Sequence, residues 1–440
     1  MIKAFEIRLY PNKSQREYLS DIFGSYRKIY NLALEKSISE YEKGNYFNSL
    51  TKFSNYFHKE LLTNPEYSYL KNHNTKILKD SLNNLSRAFT NYIKKYNKDV
   101  GLPNFKTKHS KQTIGLYNEA FSNKILDEEN YIFISKKFGK IKYKTSKEYK
   151  EIFNHYKNEV IRLTIVKEKS GKYFAKIILD YKGTKINDNK INDIIGVDLG
   201  VKDFAVTSLG EVVNNDKIYL NYEKKLKRLQ KQLARKQLIK TEEIYFSKKY
   251  NKELPVKKSS NNREKNRLKI AKVNEKIRNI KKDFLHKVTS SLVNENQVIT
   301  IEDLNVKGMV KNHKLAKSII NNNFGEFRTI LEYKCKWYNS ELIVAERFFA
   351  SSKTCSNCGT KNTKLTLKDR TWTCDNCDTE HDRDYNASVN LANYGKEIIG
   401  RRYPEFKFVE TSSVDDPLLE TTIAKKHLVN ETNKIVWNTI

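Results

Sequence analysis

The sequence predicts an α+β chain of several domains: a small barrel broken by a helical insertion, then an α/β unit carrying a basic helical hairpin and a four-cysteine ribbon. Three observations predict it. Hydrophobic periodicity is two at the start, changes to three-four from residue 14, and returns to two beyond residue 100. Apolar strand-like runs end in an acid twice, at Asp198 and Glu302. Two Cys-x-x-Cys pairs then precede a third acid, Asp384. A chain of 440 residues is long enough for two to four domains, each with its own core.

The first strand is Phe5-Glu6-Ile7-Arg8-Leu9, alternating apolar and polar. Pro11 follows, and Ser14 with Glu17 three residues on has the form of a capping box opening a helix. That helix places Leu19, Ile22, Phe23, Tyr26, Ile29, Tyr30 and Ala33 on one face. A second runs from Thr75 to Tyr96, with Leu78, Leu82, Leu85, Phe89, Tyr92 and Tyr96 as its stripe. Both stripes are core. Gly101 and Pro103 end the helical region, and short strands follow at Tyr131–Ser135, Lys140–Tyr143, Ile161–Val166 and Tyr173–Asp180. The last two flank Lys169-Ser170-Gly171-Lys172, a turn composition. Asn187–Asn192 has the polarity of a linker.

The chain carries 83 Lys and Arg against 52 Asp and Glu, a net charge of +31, beside 27 Tyr and 21 Phe. Solubility needs far less charge, so the partner is a polyanion, and basic residues interleaved with aromatics fit nucleic acid. Between residues 223 and 288, 23 basic residues face 7 acidic ones, a net +16. Two apolar stripes thread this stretch, Leu226, Leu229, Leu233 and Ile270, Val273, Ile277, Ile280, Phe284, at the spacing of paired helices. Ile239–Asn266 between them has a loop composition, and beyond Tyr394 periodicity fades into a tail. No run of roughly 18 apolar residues exists and the start lacks an apolar signal core. The expectation is a cytoplasmic protein without membrane contact.

Ile194-Ile195-Gly196-Val197-Asp198 ends a buried strand on a carboxylate, Val201–Thr207 continues as a second β run, and Gly210-Glu211 makes the next turn. Val298–Ile301 runs likewise into Glu302. Asp384 lies near the start of a helix opened by Asp382-Arg383. A carboxylate in an apolar strand is costly without a cation or donors. Three acids from two strands and a helix make a hard-oxygen site for two Mg²⁺ ions, the arrangement phosphodiester hydrolysis uses. Each acid alone is an ordinary turn former or cap.

Cys355-Ser356-Asn357-Cys358 and Cys374-Asp375-Asn376-Cys377, fifteen residues apart, fit one structural Zn²⁺ held by four thiolates. Such a set indicates a reducing compartment. Gly359 suits a tight knuckle, and Cys335, outside both Cys-x-x-Cys pairs, is expected to be a packed core thiol.

Three segments closely resemble the RuvC-I, RuvC-II and RuvC-III motifs of the TnpB family, transposon-encoded RNA-guided nucleases related to type V CRISPR effectors. They are Gly196-Val197-Asp198-Leu199-Gly200, Ile301-Glu302-Asp303-Leu304 and Asp382-Arg383-Asp384-Tyr385-Asn386-Ala387. Ile7-Arg8-Leu9-Tyr10-Pro11, Gly101-Leu102-Pro103-Asn104-Phe105-Lys106, Arg278–Leu285, Phe324-Gly325-Glu326-Phe327 and Ser351-Ser352-Lys353-Thr354 extend the resemblance to about residue 395. It implies Asp198, Glu302 and Asp384 as the metal-holding catalytic acids, with Asp303 and Asp382 left to capping or hydrogen bonding. It implies an OB-like wedge barrel at 1–10 and 101–186 around a helical recognition lobe at 11–100. An RNase H-like RuvC domain follows at 193–350, with the hairpin at 222–288, a zinc ribbon at 351–380, a last RuvC segment at 381–395 and a variable or disordered tail at 396–440. By the same resemblance the ribbon helps place the target strand.

The family further implies a guide RNA from the transposon end, double-stranded target DNA bearing an adjacent motif, a monomer, and a prokaryotic cytoplasm with the protein on the nucleoid when DNA-bound. Base pairing then supplies specificity while the protein holds backbone charge. Motif-reading candidates are Thr75, Lys76, Lys79 and Asn83 on the second helix, and Phe105, Lys106 and Lys108. The interval 239–266 is longer than in the shortest family members. A miniature type V CRISPR effector, a guide-directed repressor that no longer cuts, and a DNA-joining transposase are the alternatives. The repressor predicts a missing acid, and the transposase would not carry the ribbon between its second and third acids.

Overall fold

The computed structural model describes residues 2–94, 101–108, 111–117, 126–127, 130–135, 138–182, 192–214, 219–236, 238–247, 252–366 and 368–402, with 192 and 239–258 as backbone only. The expected linker 187–191, Tyr96 and residues 403–440 of the expected tail lie outside these residues, whereas 396–402, also expected as tail, continue the last helix, with Ile399 buried against the sheet.

Strand β1 (Ile2–Tyr10) leads into α1 (Lys13–Glu42), α2 (Leu50–Tyr56) and α3 (Thr75–Ile93). Then come β2 (Gln112–Tyr117), β3 (Leu126–Asp127), β4 (Tyr131–Ser135), β5 (Gly139–Lys144), α4 (Lys147–His155), β6 (Val160–Lys167) and β7 (Tyr173–Asp180). Next are β8 (Asn192–Asp198), β9 (Ala205–Thr207), β10 (Val212–Val213), α5 (Tyr219–Ala234), β11 (Ile239–Ser247), β12 (Lys252–Lys258) and α6 (Asn261–Glu295). The chain continues through β13 (Asn296–Glu302), α7 (Val306–Met309), α8 (Ala316–Asn322), α9 (Phe324–Tyr338), β14 (Glu341–Ala345), β15 (Thr371–Thr373), β16 (Glu380–Asp382) and α10 (Arg383–Arg402). Among the described residues, no helix is long and apolar enough to cross a membrane.

Two compact units result, one of residues 1–184 and 216–282, the other of 185–215 and 283–440, the division falling within α6. In the first, an antiparallel half-barrel runs in the order β2-β6-β7-β1-β5-β4-β3. Alternation decides its inward face: Phe5, Ile7 and Leu9 of β1 are buried while Glu6 is exposed. The predicted stripe of α1 is buried throughout, as are Leu78, Leu82, Leu85 and Phe89 of α3.

The helix start differs from expectation. Asn12, not Ser14, caps α1: its Oδ1 accepts from Gln15 N at 2.9 Å, and Gln15 Oε1 accepts from Asn12 N at 3.0 Å. Ser14 instead donates its hydroxyl to Asn12 Oδ1. Gln15 Nε2 also donates to Lys140 O on β5, so the cap ties the helix to the sheet and fixes the register two residues earlier. The interval 239–266 also departs from its loop composition. β11 and β12 pair antiparallel within it, and α6 already begins at Asn261. Here backbone pairing between two extended arms overrides side-chain propensity. The hairpin seam itself is as spaced: Leu226 and Leu229 pack with Ile270, Val273, Ile277 and Ile280.

One buried polar cluster pins α3 to α1 and the half-barrel. Asp80, 1% exposed, accepts from Tyr26 Oη and, at 3.1 Å, from Arg162 Nη2 of β6. Asn84 Nδ2 donates to both Tyr26 Oη and Asp80. Burial, with Asp80 beside it, holds the Tyr26 phenol well above its ordinary pKa, so it stays a donor. Gly115 on β2 makes the room, since a Cβ there would stand 2.3 Å from Asp80 Oδ2 and 2.5 Å from Arg162 Nη2. Asp80→Ala leaves a guanidinium and a phenol without their buried acceptor and should cost about 3–5 kcal/mol. Urea unfolding followed by circular dichroism measures it; an unchanged midpoint would exclude this role for the cluster.

Candidate active site

The second unit is built on a five-stranded sheet, β10-β9-β8-β13-β14, whose β8, β13 and β14 are parallel. The register pairs Val197 with Ile301, so Asp198 and Glu302 are the next residues on adjoining strands, at the carboxyl-terminal edge. In open α/β sheets this edge is where ligands bind.

Helix α10 brings the third acid. It lies on β8 at backbone distance: a Cβ on Gly196 would meet Ser388 O at 2.0 Å and Ala392 N at 2.5 Å. A Cβ on Gly395 would meet Thr300 Oγ1 at 2.2 Å. Only glycine fits at these two positions. Asp382 caps the helix, its Oδ1 accepting from Asp384 N at 3.0 Å and Tyr385 N at 2.9 Å, which leaves Asp384 in the first turn. Asp382, Asp384, Lys202, Asp203, Arg370 and Tyr385 line a cleft of about 380 Å³.

The electrostatics mark Asp198 as the centre. Burial, then the charges of Asp384 and Glu302, push its carboxyl up to about 7. Burial and Asp303 raise Glu302. Asp303 itself is turned to Arg347 and Arg328, at 2.7 Å from each, which hold it below the usual carboxylate range. Asp384 receives Arg370 Nη1 on one oxygen at 2.7 Å, and Arg383 Nε and Nη2 on the other at 3.0 and 2.9 Å. Asp198 thus feels the charge of both other carboxylates, a field that a cation would relieve. The donor set is hard oxygen, which suits Mg²⁺.

The segment after Asp198 is a bend where a strand was expected. Gly200 N bonds Phe204 O at 3.2 Å, and strand resumes only at Ala205. Phe204 is drawn into a cluster with Phe284, Phe324 and Phe327, at centroid distances of 5.0, 5.7 and 5.3 Å. Asn322 Nδ2 donates to Gly200 O, fixing the turn from α8.

Beside the acids, Cys355, Cys358, Cys374 and Cys377 bring their sulfurs within 4.8 Å of one another. Two pairs stand at 3.6 Å, close to the separation of ligands around one tetrahedral ion with Zn–S bonds of ~2.3 Å. Each knuckle closes alike: Gly359 N bonds Cys355 O at 2.9 Å, and Asp378 N bonds Cys374 O at 3.0 Å, with positive φ at Gly359 and Asp378. His381 Nε2 lies 3.0 Å from Cys355 Sγ and its ring packs on Trp372. Asn386 and Asn390 of α10, both buried, donate to Thr354 O, and Asn390 also to Ser351 O. These amides had one visible signal in sequence, polar residues recurring four apart on a helix face that otherwise packs. Arg370 and Lys202 had none.

The motif-reading candidates separate. Thr75, Lys76, Lys79 and Asn83 line one cleft of about 690 Å³ with His58, Arg87 and Tyr117. Phe105 is 51% exposed. Lys106 turns inward, its ammonium 3.7 Å from the Tyr30 ring centroid and pushed down to about 8 by burial. Lys108 lines a different cleft with Lys167, Lys169 and Arg267.

A pH dependence follows for Asp198. The unfolded chain loses this proton near 3.8 and the folded one near 7, so stability falls as pH rises between them. Without added divalent cation, Asp198→Asn should be more stable than the parent at pH 8 by more than about 1 kcal/mol, with no difference near pH 4. Urea unfolding read by Trp337 and Trp372 fluorescence tests it.

Three family profiles match: "Helix-turn-helix domain" over residues 1–45, "Probable transposase" over 178–313, and "Cas12f1-like, TNB domain" over 324–391. Over the first range this chain folds as β1 and the single helix α1. A Streptomyces pristinaespiralis protein named "Putative RNA-guided DNA endonuclease" is 31% identical over 394 residues, covering 88% of both chains. Escherichia coli "Putative RNA-guided DNA endonuclease InsQ" is 26% identical over 90% of this chain and 93% of its own. "TnpB-like protein MJ0751" of Methanocaldococcus jannaschii is 27% identical over 65% of this chain and 97% of its own. With relatives matched along nearly their whole length, the chain belongs to the TnpB family.

Proposed function

We propose that this protein is an RNA-guided DNA endonuclease that hydrolyses phosphodiester bonds at Asp198, Glu302 and Asp384. The observation that carries this is the gathering of three carboxylates at one sheet edge, with Asp198 pushed up to about 7 by burial and its neighbours. Such a cluster is unfavourable without cations and so points to a site built to hold them. Two Mg²⁺ ions held there would activate water and neutralise charge on the attacking and leaving oxygens. Arg370 and Arg383 hold Asp384 in place, and Lys202 at the rim of the cleft adds positive charge for a phosphate.

The second unit takes the part of the RuvC domain and zinc ribbon, and the half-barrel with α1–α3 that of the wedge barrel and recognition lobe. One Zn²⁺ on Cys355, Cys358, Cys374 and Cys377 serves structure, because four thiolates leave no position for substrate. The guide RNA comes from the transposon end, and the charge of +31 serves RNA and target DNA backbones. The cleft of Thr75, Lys76, Lys79 and Asn83 is the proposed reader of the motif beside the target. Its lining of Lys, Asn, Thr and Arg side chains offers donors to a base-pair edge, whereas Lys106 is turned inward onto Tyr30. The presence of all three acids favours a cutting enzyme over a repressor.

Asp198→Ala should abolish Mg²⁺-dependent cleavage while the protein still co-purifies with a discrete RNA. Sequencing that RNA tests the guide directly: a random mixture, or cutting retained by the variant, overturns this reading. Replacing Cys374 and Cys377 by Ser should release one zinc per chain and lower the unfolding temperature, with elemental analysis of native and variant protein as the measurement.

A further inference from the structure

Phe348 is 94% exposed, the most exposed large apolar side chain among the described residues. Its place is fixed by the sheet. β14 pairs with β13 in the register Glu302 to Ala345, so β14 ends beside the acid. Phe348 comes three residues later, within about 11 Å of Ala345 by chain reach. It leaves the same sheet edge as Asp198 and Glu302.

Both of its neighbours are anchored. Arg347 Nε and Nη2 donate to Asp303 Oδ2 at 3.1 and 2.7 Å, immediately after Glu302 in the chain. Phe349 packs on Tyr394 of α10 at 4.8 Å between centroids, and its N bonds Glu346 O at 2.9 Å, closing a turn. Phe348 is the third residue of that turn and the one held out in water. A turn that only joined β14 to the cysteine ribbon would carry a polar or small residue here. An aromatic ring presented on a braced turn loses little freedom when it stacks. The ring thus projects between two side chains already engaged, Arg347 on Asp303 and Phe349 on Tyr394, and the chain's charge favours a polyanion as its partner.

We propose that Phe348 stacks on a nucleobase of the DNA strand entering the acid cleft, and thereby sets which phosphate reaches Asp198, Glu302 and Asp384. This rests on the nuclease reading above. Every base offers a π face, so the contact positions a strand without selecting its sequence.

The test uses full-length protein with its co-purified RNA, in the Asp198→Ala background, and single-stranded DNA probes carrying 2-aminopurine at successive positions. Fluorescence should be quenched at one or two adjacent positions. F348W and F348Y should keep the quench; F348A and F348L should lose it and bind the strand about tenfold more weakly. In cutting-competent protein, F348L should raise KM and shift or blur the cut position. A parent that binds and cuts DNA while F348L behaves identically overturns the stacking role. Loss of self-association in F348A, with DNA binding unchanged, would make the ring an interface between copies and overturn it equally. A parent that shows Phe348-dependent quenching but cuts nothing removes only the nuclease reading.

Discussion

The second unit depends on one close contact made through two glycines. At Gly196 the helix α10 meets β8 backbone to backbone, and at Gly395 it meets the Thr300 hydroxyl of β13, with no space for even a methyl group. That closeness carries Asp384, in the first turn of the helix, to the strand ends that hold Asp198 and Glu302. It also carries Asn386 and Asn390, whose amides bond the chain just before the first knuckle. The acid site and the cysteine ribbon therefore share one helix as a common mount. Displacing α10 would disturb both together.

The assembled acids are a source of strain. Asp198 is forced towards the neutral form by burial and by two neighbouring carboxylates, and Glu302 is raised for similar reasons. Arg370 and Arg383 offset part of this at Asp384, and Asp303 is diverted to Arg328 and Arg347. Functional sites commonly concentrate such unfavourable charge and rely on the surrounding packing to contain it. Here the containment is the aromatic cluster around Phe204 on one side and the glycine-packed helix on the other.

In the first unit, α3 has two faces with different work. Asp80 and Asn84 turn inward to Tyr26 and Arg162, while Thr75, Lys76, Lys79 and Asn83 line an open cleft. The buried ion pair gives the exposed face a fixed position on the half-barrel. A fixed helix face offers its side chains without the ordering cost that a loosely held one would meet on binding.

The sequence by itself determined much of this. Period-two and three-four patterns located β1, β4 to β8, β13 and the stripes of α1, α3, α5 and α6, because burial is encoded at every residue of an element, while β2 and β14 went unforeseen. Cysteine spacing specified a four-sulfur set, since a knuckle is a local structure. Asp198 and Glu302 stood out because each closes an apolar strand, and Asp384 because it lies in the first turn of a helix; their union as one site came from the family resemblance. Asn12 as the cap of α1 and the paired strands inside 239–258 are local features that the composition masked, whereas the bend after Gly200, the inward turn of Lys106 and the arginines on Asp384 were decided only by tertiary structure. These last three depend on partners distant in sequence: Phe327 and Phe284 for the bend, Tyr30 for Lys106, and the ribbon's Arg370 for Asp384. Local patterns report what a residue prefers; which group stands opposite is settled when the chain closes on itself.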